Sequence, residues 1–353
     1  MYQNDYKITA DGFGIHTFEL TSTISSSAFR HIPYRAGNKK FYCNDGNSIC
    51  IHPEKRGIRI WLNNPKEDVY NIKIIVTSRI IIDERADAVS ILRPSDDFIA
   101  LGNRVTDILR ECLGEEYHIE GFELSRVDCC VNIMLSENFA AQRYIKLLHK
   151  SMKYNSTEQI ITFPNDAPNA KEKNKHNFRI KTGDITFTAY DKYFQLEDIG
   201  GSFEKESEAF LRLELSINRD EIRRIILSGS EWKYNTTLIK YFTRHSRDFF
   251  VDYIGKYFFP GDYCYLEYME FLVEKSALKD KIKNRMLIFS EIQCEKHSFL
   301  SAKNEMMRCL ASAYKFKKML FAFEALNINP ISLSYRDKHG ANVIPGLYKI
   351  LGL

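Results

Sequence analysis

The stretch Leu124–Met134, LSRVDCCVNIM, decides the reading of this chain. Taken with the two-residue period of a β-strand, Arg126, Asp128, Cys130 and Asn132 fall on one face and Val127, Cys129, Val131 and Ile133 on the other. Two later stretches alternate in the same way. In DITFTAYDK, residues 184–192, Asp184, Thr186, Thr188, Tyr190 and Lys192 share a face opposite Ile185, Phe187 and Ala189. In FLRLELSIN, residues 210–218, Arg212, Glu214, Ser216 and Asn218 stand opposite Leu211, Leu213, Leu215 and Ile217. Such alternation predicts antiparallel strands with one dry and one wet face. If the three are neighbours, their polar faces merge and bring Asp128 and Glu214 together with Arg126, Arg212, Lys192 and Tyr190.

That inventory suits phosphoryl transfer. Carboxylates are ligands for a hard divalent cation such as Mg²⁺ or Mn²⁺, and Lys or Arg offsets the charge that grows on the phosphate. A tyrosine hydroxyl is a nucleophile only with a nearby cation or base, and Lys192 is placed to assist Tyr190. An ordinary wet sheet face shows the same alternation, with Arg126, Asp128, Arg212 and Glu214 as cross-strand ion pairs. Spacing alone leaves both readings open.

Outward from these strands, the first ~120 residues alternate strand-like runs with turn signals: 16–23, 40–43, 48–52, 57–62 and 71–82. A helix capped near Ser95 follows and ends at Gly114. Residues 121–218 form a second α+β unit, with a helix near 138–152 and a polar loop at 164–177. Together the two make one nuclease-like core of antiparallel sheet and packed helices. From Arg219 onward the pattern turns helical, over 231–257, 263–274, 279–294 and 302–326, which predicts an all-helical C-terminal domain over 219–353. That region carries 22 Lys+Arg against 15 Asp+Glu, in a chain whose net charge is +4. The basic end is compatible with a nucleic-acid partner.

Composition excludes several classes. With 353 residues, 44% of them hydrophobic, the chain has material for more than one packed unit. The N-terminus has no signal-peptide pattern and no run approaches a membrane span, so a cytoplasmic protein with no membrane partner is expected. The 8 cysteines form no C-x-x-C pair and suit neither a zinc ribbon nor a disulfide framework. Gly12 and Gly14 in DGFG are not followed by a phosphate-binding pattern, which argues against an ATPase.

The segments LSRVDCCVNI (124–133), TAYDKYFQLE (188–197) and LRLEL (211–215), in that order, resemble the signatures of replication initiation factors of the Rep_trans type. They are similar as well to the gene II/X replication proteins of filamentous phage. The resemblance covers roughly residues 70–218, with an echo at NINPISL. It implies a rolling-circle initiator or relaxase of a plasmid, phage or integrative element. Such an enzyme nicks one strand at an origin, keeps the 5′-phosphate on tyrosine and leaves a 3′-OH. Carried over, Tyr190 is the nucleophile, Asp128, Glu214 and Glu197 are metal ligands for Mg²⁺ or Mn²⁺, and Lys192, Arg126 and Arg212 are charge partners. Tyr193 and Tyr144 remain rival nucleophiles. Origin DNA is the implied partner, with a host helicase and polymerase downstream and a homodimer compatible with the class. None of the 9 histidines forms the H-x-H metal motif of broader rolling-circle nickases. A DNA-binding initiator that does not cut, and a conjugative relaxase, are the competing functions.

Two further signals concern DNA contact. Arg308, Lys315 and Lys318 recur on one side of the 302–326 stretch, and Lys233, Lys240, Arg244 and Arg247 stand beside Trp232, Tyr234, Tyr241, Phe242, Phe249 and Phe250. Either set is a candidate for DNA binding, the first through phosphates and the second with aromatics that stack unpaired bases. Solvated helix faces and core aromatics give the same patterns.

Overall fold

Strand β1, Tyr6–Ile24, runs through the middle of the molecule and joins its two sequence halves. On one edge it pairs with β5 (Val69–Thr77), reached through β2 (Lys40–Tyr42), β3 (Ser48–Ile51) and β4 (Ile58–Lys66). On its other edge lies β6 (Glu123–Leu135), which pairs in turn with β10 (Phe210–Asn218). Beyond it stand β9 (Ile185–Asp191), β8 (Asn177–Thr182) and β7 (Gln159–Ile160). The result is one ten-stranded antiparallel sheet in the order β2-β3-β4-β5-β1-β6-β10-β9-β8-β7. The computed structural model describes residues 6–37, 40–42, 48–53, 57–66, 69–83, 89–135, 141–153, 159–160, 170–198, 210–228, 234–296, 298–333 and 342–353.

The helices, in chain order, are α1 (Ser26–Ala36), α2 (Ser78–Ile82), α3 (Phe98–Leu113), α4 (Ala141–Ser151), α5 (Ala170–Lys175), α6 (Lys192–Asp198) and α7 (Arg219–Ser228). They continue with α8 (Asn235–Arg244), α9 (Ser246–Tyr257), α10 (Leu266–Lys275), α11 (Asp280–Glu295), α12 (Phe299–Leu310), α13 (Ala313–Ala325) and α14 (Leu347–Leu351). The apolar strand positions read from the sequence, Val127 to Ile133, Leu211 to Ile217, Phe187 and Ala189, are all buried. Helices cover that face: Cys129 Sγ points at the Phe242 carbonyl of α8, Phe187 stacks on Tyr253 of α9, and Phe178 meets His149 of α4. Each large side chain buried there contributes roughly 1.5–3 kcal/mol. The opposite face, with the polar residues, is free of these helices.

Several local expectations are corrected. The run 71–82 leaves the sheet at Thr77 and turns into α2, because Ser78 is buried and its Oγ donates to the carbonyls of Ile15 (3.2 Å) and His16 (3.0 Å). The helical signal over 302–326 is two helices: Ala311 adopts a left-handed φ of 48° and Ser312 caps the second by accepting from Lys315 N. The C-terminal part is not all-helical. It carries a three-stranded sheet, β12 (Ile328–Leu333), β11 (Asp262–Tyr265) and β13 (Val343–Ile344), in the order β12-β11-β13. The NINPISL motif supplies its fully buried strand. The 164–177 stretch contains α5; residues 164–169 lie outside the described ones.

Gly14 belongs to a crossing of the chain over this sheet. Residues Ile15 and Leu92 exchange two backbone hydrogen bonds, 3.2 and 2.8 Å, and a Cβ on Gly14 would stand 2.2 Å from the Leu92 carbonyl oxygen. The close approach demands glycine. It lays the segment from Val89 to Leu92 against the polar end of β6 and β10.

Candidate active site

The register builds the site row by row. Asn132 of β6, Arg212 of β10 and Tyr190 of β9 stand opposite one another, then Cys130, Glu214 and Thr188, then Asp128, Ser216 and Thr186. On the other side of β6, Thr17 faces Asp128 and Glu19 faces Arg126. The expected convergence of three polar faces is therefore present, with β10 between β6 and β9.

Arg212 is fully buried in the middle. Its Nε donates to Asn132 Oδ1 at 2.6 Å and its Nη2 to the Val89 carbonyl at 2.7 Å, while Asn132 Nδ2 donates to the same carbonyl. The crossing segment thus closes this end of the site. Arg212 Nη1 lies 3.9 Å from Glu214 Oε1 and makes no hydrogen bond of normal geometry. Glu214 Oε1 accepts from the Tyr190 hydroxyl at 2.6 Å. Tyr190 is only 5% exposed, and its phenol is held well above its usual pKa, first by burial and then by the Glu214 charge. At rest it is a neutral donor to a carboxylate.

Lys192 departs from the strand pattern. It opens α6 because Asp191 turns the chain, its Oδ1 accepting from Phe194 N. The other oxygen of Asp191 pairs with His176 Nδ1 at 2.9 Å, and His176 stacks on Phe194. This clasp brings Lys192 Nζ to 5.7 Å from the Tyr190 ring centroid, with Gln195 Oε1 as its acceptor at 2.8 Å. Lys192 is beside the tyrosine, on a helix rather than on its strand face.

Asp128 forms a forked ion pair with Arg126, at 3.0 and 3.1 Å, and Arg126 reaches on to Glu19 at 2.5 Å. Burial pushes the Asp128 carboxyl up to about 6, Arg126 works against that shift, and the Glu214 charge adds to it. Asp128 and Glu214 are the carboxylates of the site, each with a guanidinium nearby. Their chemistry fits a hard divalent ion in part, because Asp128 is already taken by Arg126. Among the described residues no three His, Cys, Asp or Glu side chains are placed to hold a metal.

His16 joins the site although the sequence marks it only as the start of a strand. It is the extra residue of a bulge in β1, and its Nδ1 sits 3.7 Å from Glu214 Oε1. Burial, then Arg212, then Lys192 hold its pKa well below the usual value, so the ring is neutral at pH 7. Alternation along 16–23 marked the strand, but no sequence signal locates a bulge. Glu19 was equally hidden, since its pairing with Arg126 depends on register.

The remaining candidates are dispersed. Tyr144 is fully buried on the helix-covered side, with its hydroxyl donating to the Pro345 carbonyl. Tyr193 is half-buried on α6, and the Glu197 side chain lies outside the described residues. Lys240 and Arg244 are on α8, behind the sheet relative to Asp128, where Phe242 and Phe250 are core, and Trp232 and Lys233 lie outside the described residues. Arg308, Lys315 and Lys318 are exposed on α12 and α13. Among the described residues no helix is long and apolar enough to cross a membrane. No family model matches the chain, and no curated protein is significantly similar to it.

Proposed function

We propose that the protein nicks a single DNA strand through Tyr190, as a replication initiator of a mobile element would. The observation that carries this reading is the 2.6 Å hydrogen bond from the Tyr190 hydroxyl to Glu214, beside the buried guanidinium of Arg212. Glu214 is the base: it takes the phenol proton as Tyr190 Oη bonds to phosphorus. The P–O3′ bond breaks, and the same proton can pass to the departing 3′-oxygen. Arg212 Nη1 is the donor a phosphate oxygen takes up, and Lys192 offsets charge on the phenolate side. Glu214, with Asp128 where it is released by Arg126, would supply oxygen ligands to Mg²⁺ or Mn²⁺, which when bound supplies Lewis-acid polarisation of the phosphate.

The test uses the full chain and a single-stranded oligonucleotide with a hairpin. A denaturation-resistant adduct mapping to Tyr190 is expected, lost in Tyr190→Phe and in Glu214→Gln. An adduct that persists in Tyr190→Phe and maps to Tyr193 moves the nucleophile but keeps the class. The burial of Tyr190 favours a second reading, an initiator that binds DNA and does not cut. Absence of any adduct with Mg²⁺ or Mn²⁺ across candidate origins selects it.

A further inference from the structure

The polar face of the sheet does not end at the pocket. Through β1 it continues across β5 and β4, where register aligns Thr21 with Lys73 and Lys73 with Trp61, and Ile75 with Arg59. The next row aligns Thr23, Asn71 and Asn63. The alternate positions of the same strands, Ile58, Ile60, Leu62, Ile72, Ile74 and Val76, fill the core, so Trp61, Lys73 and Arg59 stand on the solvent side. Arg59 is exposed, and Trp61 and Lys73 are half-buried.

The carboxylates beside this wing are engaged among the described residues: Glu120 accepts from Thr236. Glu19 is held by Arg126, and Glu123, at the rim, is held by Arg219 and Arg223. Arg59 and Lys73 have no ion-pair partner among the described residues. An open groove of about 740 Å³ borders the wing, with Thr21, Asn63, Asn71 and Lys73 on one side and Glu120, Glu123 and Arg219 on the other. The Trp61 indole lies half-buried on the wet face, with Lys73 of β5 and Cys50 of β3 as its cross-strand neighbours. It suits a base plane, while Arg59 and Lys73 suit phosphates at either side of it.

We propose that the open face of β4 and β5 seats an unpaired DNA strand, with Trp61 as a stacking platform and Arg59 and Lys73 as phosphate partners. This wing is continuous through β1 with the Glu214–Tyr190 pocket, so it positions the strand that the pocket is proposed to cut. In that respect it rests on the nicking reading, but binding and cutting are separable.

Trp61 and Trp232 are the 2 tryptophans of the chain, so Trp232→Phe leaves Trp61 as the sole indole emitter. Titrating that full-length variant with an oligothymidine should quench the emission, and duplex DNA of the same length should quench it far less. Trp61→Ala should weaken single-strand binding about tenfold, measured by anisotropy, whereas Trp61→Phe keeps a ring and most of the affinity. Arg59→Gln and Lys73→Gln should each reduce the slope of log affinity against log salt by roughly 0.7. Emission that is indifferent to saturating single strand, or quenching stronger with duplex, overturns the platform. Unchanged affinity and salt slope in Trp61→Ala and Lys73→Gln, with thermal melts like the parent, overturn it too. If quenching occurs but no adduct ever forms, the nicking reading fails and the platform stands; an adduct formed without quenching sinks the platform alone.

Discussion

The two wings of the sheet share one face and treat water in opposite ways. On the β6–β10–β9 side, Arg212, Asn132, Lys192 and Tyr190 are buried, and carboxylates and cations are locked into a short network under the Val89 crossing. On the β4–β5 side, Arg59 is exposed, Trp61 and Lys73 are half-buried, and the cations are unpaired among the described residues. Burial, more than the neighbouring charges, raises the Asp128 carboxyl, whereas solvated charges are screened. In the proposed function the buried wing changes protonation and the open one holds a polyanion.

The largest expected effect tests whether this contrast is energetic. Arg212→Ala removes the guanidinium from Asn132, the Val89 carbonyl and Glu214, and should cost about 3 kcal/mol or more in urea unfolding. Arg59→Ala should fall within roughly 0.5 kcal/mol of the parent. Similar losses at both positions would erase the distinction.

Asp128 gives the next test, and its sign follows from its raised carboxyl. The folded chain binds the Asp128 proton more tightly than the unfolded one, so ionisation destabilises the fold as pH rises through the range from about 4 to about 6. Asp128→Asn should therefore gain about 1–3 kcal/mol at pH 7, and the gain should vanish below about pH 4. The same variant should lose nicking by at least about a hundredfold with little change in DNA affinity. A loss of stability at pH 7 would show that the Arg126 pair outweighs the burial cost.

A smaller effect sharpens the coupling inside the pocket. Because the Glu214 charge contributes to raising Asp128, Glu214→Gln should lower the Asp128 pKa from about 6, readable by NMR titration of the side-chain carboxyl. No movement would mean that burial alone sets it.

The smallest effect concerns the basic helices. Arg308, Lys315 and Lys318 changed together to Gln should weaken duplex binding and flatten its salt dependence, leaving cutting of a pre-formed single strand unchanged. Equal loss on single strands would join them to the pocket. Truncation near residue 218 cannot make this point. It removes α8 and α9, whose Ile239, Phe242, Phe250 and Ile254 are fully buried against the sheet.

What the sequence determined by itself is the alternation. Val127 to Ile133 and Leu211 to Ile217 were assigned to the dry face, and Asp128, Arg212, Glu214 and Tyr190 to the wet one, because side-chain period in a strand is a local property. The antiparallel sheet followed from the same signal, and α3 from a different local one, its helical apolar spacing and Gly114 end. Only tertiary structure decided the rest. Register placed Glu19 against Arg126, a bulge turned His16 toward Glu214, and the Val89 crossing sealed Arg212. Asp191 and His176 moved Lys192 from a strand to a helix, and the left-handed Ala311 split one helical signal into two. Most of these outcomes depend on partners from 15 to more than a hundred residues away, and one on a single backbone dihedral. Neither leaves a periodic trace in the chain.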